Sequence, residues 1–578
     1  MSLKFITMAP IKHSTPKVSA YSIYNRNKKF AAAVQEGSVV PVIEKPKRSD
    51  TEAPSDKKRK GDIPKNGIKR KSDKQGIEEN KNWRKRKIQK VPLSIQNADS
   101  EEDTEAIEEE CEGGMNFESL SSTKASGSKS QPVPCGNEIA ESTFRWLIDP
   151  VEPEVFFREE YERRPFIIRR SNKSYYKGLY STNQFDKIVR QNLLNYGVEI
   201  DVVKYVDGER IPLESDHKII PSFLWTAFKD GYSIRMRNPQ VYNKSLRSLC
   251  ALLQEYFGNY VGVNMYLTPA DSQGFPPHFD DIDAFVLQIE GTKHWKFYTP
   301  SEKDELATAS SADLDEAALG EPCMEVEVNP GDLLYFPRGF IHQARADPDT
   351  HSLHLTVSTN QMNTWGDLLQ IAFRDAVQTA MTNDVEFRKS LPKDYTNYMG
   401  YPYCGTVSRQ RRDFKKKAES LIREAMNYLS LDDAADAQAI DFVHGALPPV
   451  FTEQEKARSV HGNGTCFLDG AVVSSAKLSL DSAIRLIRKR AFALDFESDS
   501  CKLFHSLCNS RNHKENDVVF VNVDDAHMPA LATLLRVHPE FIKIKDLPSK
   551  KSKQLLAFLQ ELYDRGLLVT ETSLPIEE

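Results

Sequence analysis

The sequence predicts a multi-domain, β-rich protein: a disordered N-terminal tail, a barrel or sandwich core, a helical region and a C-terminal winged-helix-like α+β module. Three observations predict it. Residues 1–140 are polar and charged, with few apolar residues at any regular spacing. From about 195 to 360, short alternating runs are separated by Gly, Pro and Asp, which is the pattern of many short strands. Beyond 360 the apolar spacing lengthens to the helical period. The chain's 578 residues leave room for several domains.

The tail carries the basic clusters KPKR (45–48), KKRK (57–60), IKRK (68–71) and WRKRK (83–87). Residues 45–90 hold 18 Lys/Arg against 7 Asp/Glu, and 99–112 hold 9 acids with no Lys or Arg. Basic character is thus confined to the N-terminal region, although the whole chain is net −6. The clusters read as a nuclear or nucleolar address, with RNA contact a further option, or simply as a solvated tail. The acidic block either contacts basic partners or screens the tail. Cys111, Cys135, Cys250, Cys323, Cys404, Cys466, Cys501 and Cys508 are scattered, with no C-x-x-C pair. That fits a reducing compartment. The N-terminus lacks a signal-peptide core, and no apolar run is long enough to span a bilayer, so the expectation is an intracellular soluble protein.

Order is expected near residues 142–170, where an aromatic amphipathic stretch leads into a short strand, Phe166–Ile168. The strand-like runs that follow are YSIRMRN, YVGVNMYL, AFVLQIE, KHWKFY, MEVEVN, DLLYFP and SLHLTVS. Residues 365–381 place Leu369, Phe373 and Val377 four apart, and 411–429 repeat the pattern from Phe414 to Leu429. Both read as amphipathic helices, which either cover the core or meet a second subunit. Near the C-terminus, 550–571 read as a helix, a Gly and a strand. Residues 451–578 carry 17 basic and 18 acidic residues, so the expected role is packing or protein contact, without direct nucleic-acid binding.

The stretch PPHFDDIDAFVLQIEGTKHWKFY (276–298) reads as a hairpin. Its first strand holds His278 and Asp280 and its second holds Lys293. H-x-D alone is a weak signal in a chain with 13 histidines. NPGDLLYFPRGFIHQA (329–344) strengthens it. Its G-x5-P-x-G-x2-H spacing, from Gly331 to His342, matches a cupin barrel, whose His follows a tight turn and points into the mouth. Residues i and i+2 of a strand face the same way, so His278 and Asp280 can share a metal that His342 completes. Two His and one carboxylate with open positions are the facial triad of non-haem Fe(II) oxygenases. Lys293 shares a face with Trp295 and Phe297. If that face is internal, a buried ammonium needs an anionic partner such as a dicarboxylate; the alternative is a snorkelling Lys. Asp281 alternates away from the metal face, and Asp283 has no assigned role.

These motifs, together with SLHLTVSTNQ and LPPVFTEQEKA, resemble the JmjC-domain ribosomal oxygenases, and within that family the nucleolar histidyl-hydroxylase branch. The resemblance runs from about Phe144 to the C-terminus. It implies a double-stranded β-helix of the JmjC/cupin type at 141–375, a helical dimerisation region at 376–445 and a winged helix at 446–578. It implies Fe(II) on His278, Asp280 and His342, with 2-oxoglutarate and O2 as cosubstrates. Lys293 would hold the distal carboxylate of 2-oxoglutarate, helped by Asn264 and Thr356. Tyr266, Arg235 and Ser358 would line a substrate groove, and His354 would lie near the metal without ligating it. Half-exposed strand alternation, or a surface ion pair for Arg235, explains the same residues without chemistry. The implied activity is hydroxylation of a histidine in a large-subunit ribosomal protein by a homodimer. The alternatives are demethylation of histone lysines, with a role in transcriptional repression, and a non-enzymatic chromatin or ribosome-assembly scaffold. A zinc hydrolase would leave Lys293 without a purpose.

Overall fold

The computed structural model describes residues 136–575, except 214–217, 475, 498–499, 512–516 and 518. The four basic clusters and the acidic block lie outside the described residues, as does the tail as far as 135. Residues 136–140, expected to belong to the tail, instead begin helix α1 (Gly136–Ile148). They do so because Ile139, Ala140, Thr143, Phe144 and Leu147 recur on one buried face. Helix α2 (Pro153–Glu159) follows, with proline at its start and Phe156 buried.

The core strands are β1 (Phe166–Ile168), β2 (Ile200–Val206), β3 (Glu209–Pro212), β4 (Ser233–Arg237), β5 (Gly262–Thr268), β6 (Asp283–Glu290), β7 (Lys293–Tyr298), β8 (Met324–Val328), β9 (Leu333–Phe336), β10 (Ile341–Ala346) and β11 (Ser352–Thr359). They form an eight-stranded sheet ordered β1-β9-β6-β11-β5-β4-β2-β3 and a three-stranded sheet ordered β10-β7-β8. Every pairing within the two is antiparallel.

Side-chain alternation divides the larger sheet cleanly. Ala284, Val286, Leu334 and Phe336 face inward and pack with Trp295, Phe297, Val326 and Val328 of the smaller sheet. Phe285, Leu287, Leu333 and Tyr335 face outward, onto a helical layer that includes α1, α2 and α3 (Lys244–Phe257). Phe144 centres the aromatic contacts there, stacked on Tyr256 at 4.5 Å and edge-on to Phe156 at 5.8 Å. Met265, Leu267, Leu353 and Leu355 also join the outer core, which turns Asn264, Tyr266, Thr268, His354 and Thr356 toward the barrel interior.

The expected hairpin over 276–298 does not form. Strand β6 lies between β9 and β11 in the larger sheet, and β7 lies between β10 and β8 in the smaller one. The reason is physical: β6 is apolar on both faces and buried as a central strand, so it has no free edge for β7. The chain changes sheets at Gly291, where φ is +60° and a Cβ would lie 1.7 Å from the His351 carbonyl oxygen. His278 and Asp280 precede β6, and His278 forms an isolated bridge with His342 rather than part of a long strand.

After β11, helix α4 (Trp365–Asn383) opens with a capping box between Thr364 and Asp367 and crosses the expected border at 375/376. It buries Ala372, Ala376 and Ala380. The bulkier stripe of Trp365, Leu369, Phe373, Val377 and Met381 is exposed instead of covering the core. Helices α5 (Arg409–Ala425) and α6 (Leu431–Gly445) complete this region.

The C-terminal module has its own apolar core. Its strands β14 (Ala483–Leu486), β18 (Ile542–Lys543) and β19 (Leu568–Thr570) are ordered β18-β14-β19, beside a hairpin of β12 (Cys466–Leu468) and β13 (Ala471–Val473) and a sheet of β15 (Phe492–Glu497), β16 (Ser500–His505) and β17 (Phe520–Val523). The expected helix, Gly and strand are present as Ser552–Asp564, Gly566 at φ +78° and β19. The module is tied to α3. Gln254 exchanges two hydrogen bonds with the Leu447 backbone, and buried Arg488 lies between Glu255 and Glu455.

Candidate metal centre

The bridge between His278 and His342 brings the two imidazoles together. The His278 amide donates to the His342 carbonyl at 3.2 Å, and the His342 amide returns the bond at 2.8 Å. Their rings are 4.5 Å apart. Asp280 joins them, with a carboxylate oxygen 3.8 Å from His342 Nε2. One ligand atom from each of the three lies within 4.8 Å of the others. Both imidazoles are aimed by the same device. The Nδ1 of His278 meets the Pro276 carbonyl at 2.8 Å, and that of His342 meets the Phe340 carbonyl at 3.0 Å. Each Nδ1 therefore carries the proton, and each Nε2 is left with a lone pair. Burial, and then the neighbouring His278, hold His342 well below the ordinary imidazole value, so it is neutral at pH 7. Two imidazoles and one carboxylate on one side are a donor set that fits Fe(II) and leaves positions open.

The ligand-bearing segment is braced on its other side by residues 310–314. The Ser311 amide donates to the Phe279 carbonyl and the Leu314 amide to the Pro277 carbonyl, both at 2.9 Å. The Ser311 hydroxyl accepts from the Phe279 amide at 2.9 Å. Asp281 accepts from the Ser310 hydroxyl at 2.8 Å and from Gln361, away from the metal ligands, as its alternation predicts.

Lys293 is 5 % exposed, on the inner face with Trp295 and Phe297, while His294 and Lys296 are exposed. Burial pulls its ammonium down to about 7. Its hydrogen-bond partner is the Thr268 hydroxyl, at 2.9 Å, and no carboxylate pairs with it among the described residues. A buried cation facing only a hydroxyl suits an incoming carboxylate. His354 is buried nearby, stacked on Tyr266 at 4.9 Å and edge-on to Trp295 at 5.4 Å. Burial first, then the charge of Lys293, hold it neutral, and its Nδ1 has no hydrogen-bond partner among the described residues. Asn264 and Thr356 are a half-buried cross-strand pair on the same inner face. Neither is the hydroxyl that holds Lys293. That role falls to Thr268, two residues beyond Tyr266 on β5 and so on the same face by alternation.

The geometry has counterparts in known proteins. The JmjC domain profile matches residues 235–368, and that of the ribosomal oxygenase 1 C-terminal winged helix domain matches 447–574. Ribosomal oxygenase 1 of Danio rerio is 40 % identical over 434 residues, which are 75 % of this chain and 80 % of that protein. The chain belongs to the ribosomal oxygenase 1 family. The Homo sapiens ribosomal oxygenase 1 is 38 % identical, over 77 % of this chain and 70 % of its own. A Branchiostoma floridae relative, 38 % identical over 75 % of this chain and 68 % of its own, is named bifunctional lysine-specific demethylase and histidyl-hydroxylase NO66.

In this ribosomal oxygenase the expected groove residues have firm structural ties. Arg235 pairs with Asp201 at 2.6 Å, which also accepts from Arg237, and its guanidinium lies 5.2 Å from the Phe275 ring centre. The ion-pair alternative therefore describes its contacts, although the pair is largely buried beside Tyr266 rather than on open surface. Burial, opposed by Arg235, raises the Tyr266 hydroxyl. Ser358 donates to the Gly262 carbonyl at 3.3 Å, as an ordinary strand hydroxyl would. Asp283, left without a role by the sequence reading, is 0 % exposed. Arg338, Asn360 and Tyr335 surround its carboxylate.

Proposed function

We propose that this ribosomal oxygenase hydroxylates a histidine side chain in a large-subunit ribosomal protein, using Fe(II), 2-oxoglutarate and O2. The observation that carries the reading is the convergence of His278, Asp280 and His342 beside a buried Lys293 that has no carboxylate partner among the described residues. Iron, when bound, supplies the oxygen chemistry that couples conversion of 2-oxoglutarate to succinate and CO2 with insertion of one oxygen atom into a C–H bond. The protein's part is position. His278, Asp280 and His342 would hold the metal through two Nε2 atoms and a carboxylate. Lys293, steadied by Thr268 and with Asn264 and Thr356 on the same face, anchors the distal carboxylate. Trp295 and Phe297 keep that end of the pocket dry. In this reading Tyr266, Arg235 and Ser358 would line the path of the substrate side chain, and His354 would be a neutral neighbour of the metal. Incubation with Fe(II), 2-oxoglutarate and ribosomal proteins should yield a +16 Da product on a histidine, with matching succinate. Neither should form with His342→Ala. Absence of both products with the unaltered chain would exclude the reading.

Demethylation of histone lysines is the second outcome of the same chemistry, since oxygen insertion into an N-methyl group releases formaldehyde. The name of the Branchiostoma relative favours testing it. Formaldehyde from methylated histone peptides, without any +16 Da histidine, would make it the main activity. A scaffold role would return if His342→Ala supported the full cellular function.

The working form in this reading is a homodimer. The Trp365, Leu369, Phe373, Val377 and Met381 stripe is 37–78 % exposed, and an apolar stripe along more than four helical turns calls for a partner surface. Light scattering should give twice the chain mass, and Phe373→Asp with Val377→Asp should halve it. The tail clusters suit nuclear, and specifically nucleolar, residence. A tagged chain lacking 45–87 should lose that location. The winged helix packs rather than reads nucleic acid, so deleting the basic tail alone should abolish retention on RNA or DNA. No helix among the described residues is long and apolar enough to cross a membrane.

A further inference from the structure

Two short segments carry the three ligands: residues 278–283 and 338–342. They run antiparallel and are joined at three points. At one end is the backbone bridge between His278 and His342. In the middle, the Gly339 amide donates to the Asp280 carbonyl at 2.9 Å. At the far end Arg338 Nη1 donates to the Asp283 carboxylate at 2.9 Å, and the Arg338 amide reaches the same carboxylate at 3.3 Å. This last link is the one that uses side chains, and it is the most deeply buried: Asp283 is 0 % exposed and Arg338 7 %.

The carboxylate also ties the ligand segments to the scaffold. Asn360, at the end of β11, donates to it at 2.8 Å, and the Tyr335 hydroxyl of β9 donates at 3.3 Å. Tyr335 in turn accepts from the Glu162 amide at 2.9 Å, and the Glu162 carboxylate pairs with Arg338 at 2.7 Å. Tyr161 hydrogen-bonds Asn360. Glu162 and Tyr161 follow α2, outside the 235–368 JmjC match, so a segment far upstream closes the network. A buried ion pair of this kind adds little net stability over an apolar substitute, because desolvation cancels most of the attraction. What it does supply is a fixed direction and register. The turn it pins has no slack elsewhere: Gly339 has φ +86°, and a Cβ there would lie 2.1 Å from the Asp304 carbonyl oxygen.

We propose that Asp283 and Arg338 are positioning residues of the metal centre. They lock the Asp280 segment to the His342 segment so that carboxylate and imidazole converge before metal arrives, with Glu162 as the outer stay of the lock. This rests on the reading of His278, Asp280 and His342 as the ligands. It adds that a preformed site depends on a buried cross-link that touches neither metal nor substrate.

The test is Co(II) titration of the full-length, metal-free protein, followed by its visible absorption. Thermal melts establish how much of each variant is folded. Asp283→Asn and Arg338→Lys should weaken Co(II) binding by about 10- to 100-fold, the usual penalty for disturbing a group behind a ligand. They should also change the shape of the visible band, a sign of altered ligand geometry that a loss of stability alone would not produce. If Asp283→Asn fails to fold, Arg338→Lys and the half-exposed Glu162→Gln carry the test, the latter with a smaller loss in the same direction. Folded variants that bind within twofold of the unaltered chain, with an unchanged spectrum, overturn the proposal. An unaltered chain that binds no Co(II), or binds it equally well with His342→Ala, overturns the ligand assignment itself and this inference with it.

Discussion

Lys293 is a buried ammonium with no carboxylate partner among the described residues. Lys293 sits near 7 because burial disfavours its charge, and the Thr268 hydroxyl is too weak a partner to restore it. A bound carboxylate would hold the ammonium charged. Above pH 7, binding must therefore take up a proton, and affinity for 2-oxoglutarate should fall about tenfold per pH unit from 7 toward 9. Calorimetry in buffers of different ionisation enthalpy reads that proton directly. Lys293→Ala removes a charge-assisted hydrogen bond of about 1.5–3 kcal/mol, so the KM for 2-oxoglutarate should rise roughly 10- to 100-fold and its pH slope should flatten. Lys293 was legible in the sequence because alternation with Trp295 and Phe297 is a local signal. His342 was legible because a turn-defined spacing from Gly331 fixes where its side chain emerges, and His278 and Asp280, a weak H-x-D signal alone, because His342 completes their set. Asp283 was not, because its carboxylate is surrounded by partners 52 to 77 residues away, and no local pattern records such a meeting.

At the scale of elements, the strands of the core were readable one by one. Phe166–Ile168 and KHWKFY coincide with β1 and β7, and the other runs fall within a residue or two of their strands. Partnership was the hidden part. An apolar run such as AFVLQIE fits an outer hairpin strand and a central strand equally well, and only the competition among all strands for edges decides between them. Gly291 is where that decision is made, since the chain turns from one sheet into the other there. Gly291→Ala should cost about 1–3 kcal/mol from the left-handed backbone alone, with the collision against the His351 carbonyl added to it. A lowered urea midpoint checks this. Helix α4 shows the same separation of period from partner. Its period was evident, but which face would be buried was not, because small alanines won the inner side and the bulky stripe stayed outside.

At the scale of the whole molecule, the C-terminal module was recognisable from its helix, Gly and strand, while its attachment to the catalytic domain was not. That attachment centres on Arg488, which is buried between Glu255 and Glu455. Burial, more than it is offset by Arg488, raises the Glu255 carboxyl. Arg488→Met would leave two buried acids without the cation between them, with Arg485 3.9 Å from Glu455 as the nearest remaining ion pair. It should cost about 3–5 kcal/mol and split urea unfolding into separate transitions for the two parts. The two domains thus present one frame, within which residues from Tyr161 to Asn360 converge on a single metal centre. The most direct test of that centre is a crystal structure with Co(II) and a non-reactive 2-oxoglutarate analogue. Anomalous signal should mark a metal bound by His278, Asp280 and His342, with the distal carboxylate of the analogue hydrogen-bonded to Lys293 and Thr268. A metal held by other residues, or an analogue whose carboxylate avoids Lys293, would contradict this assignment.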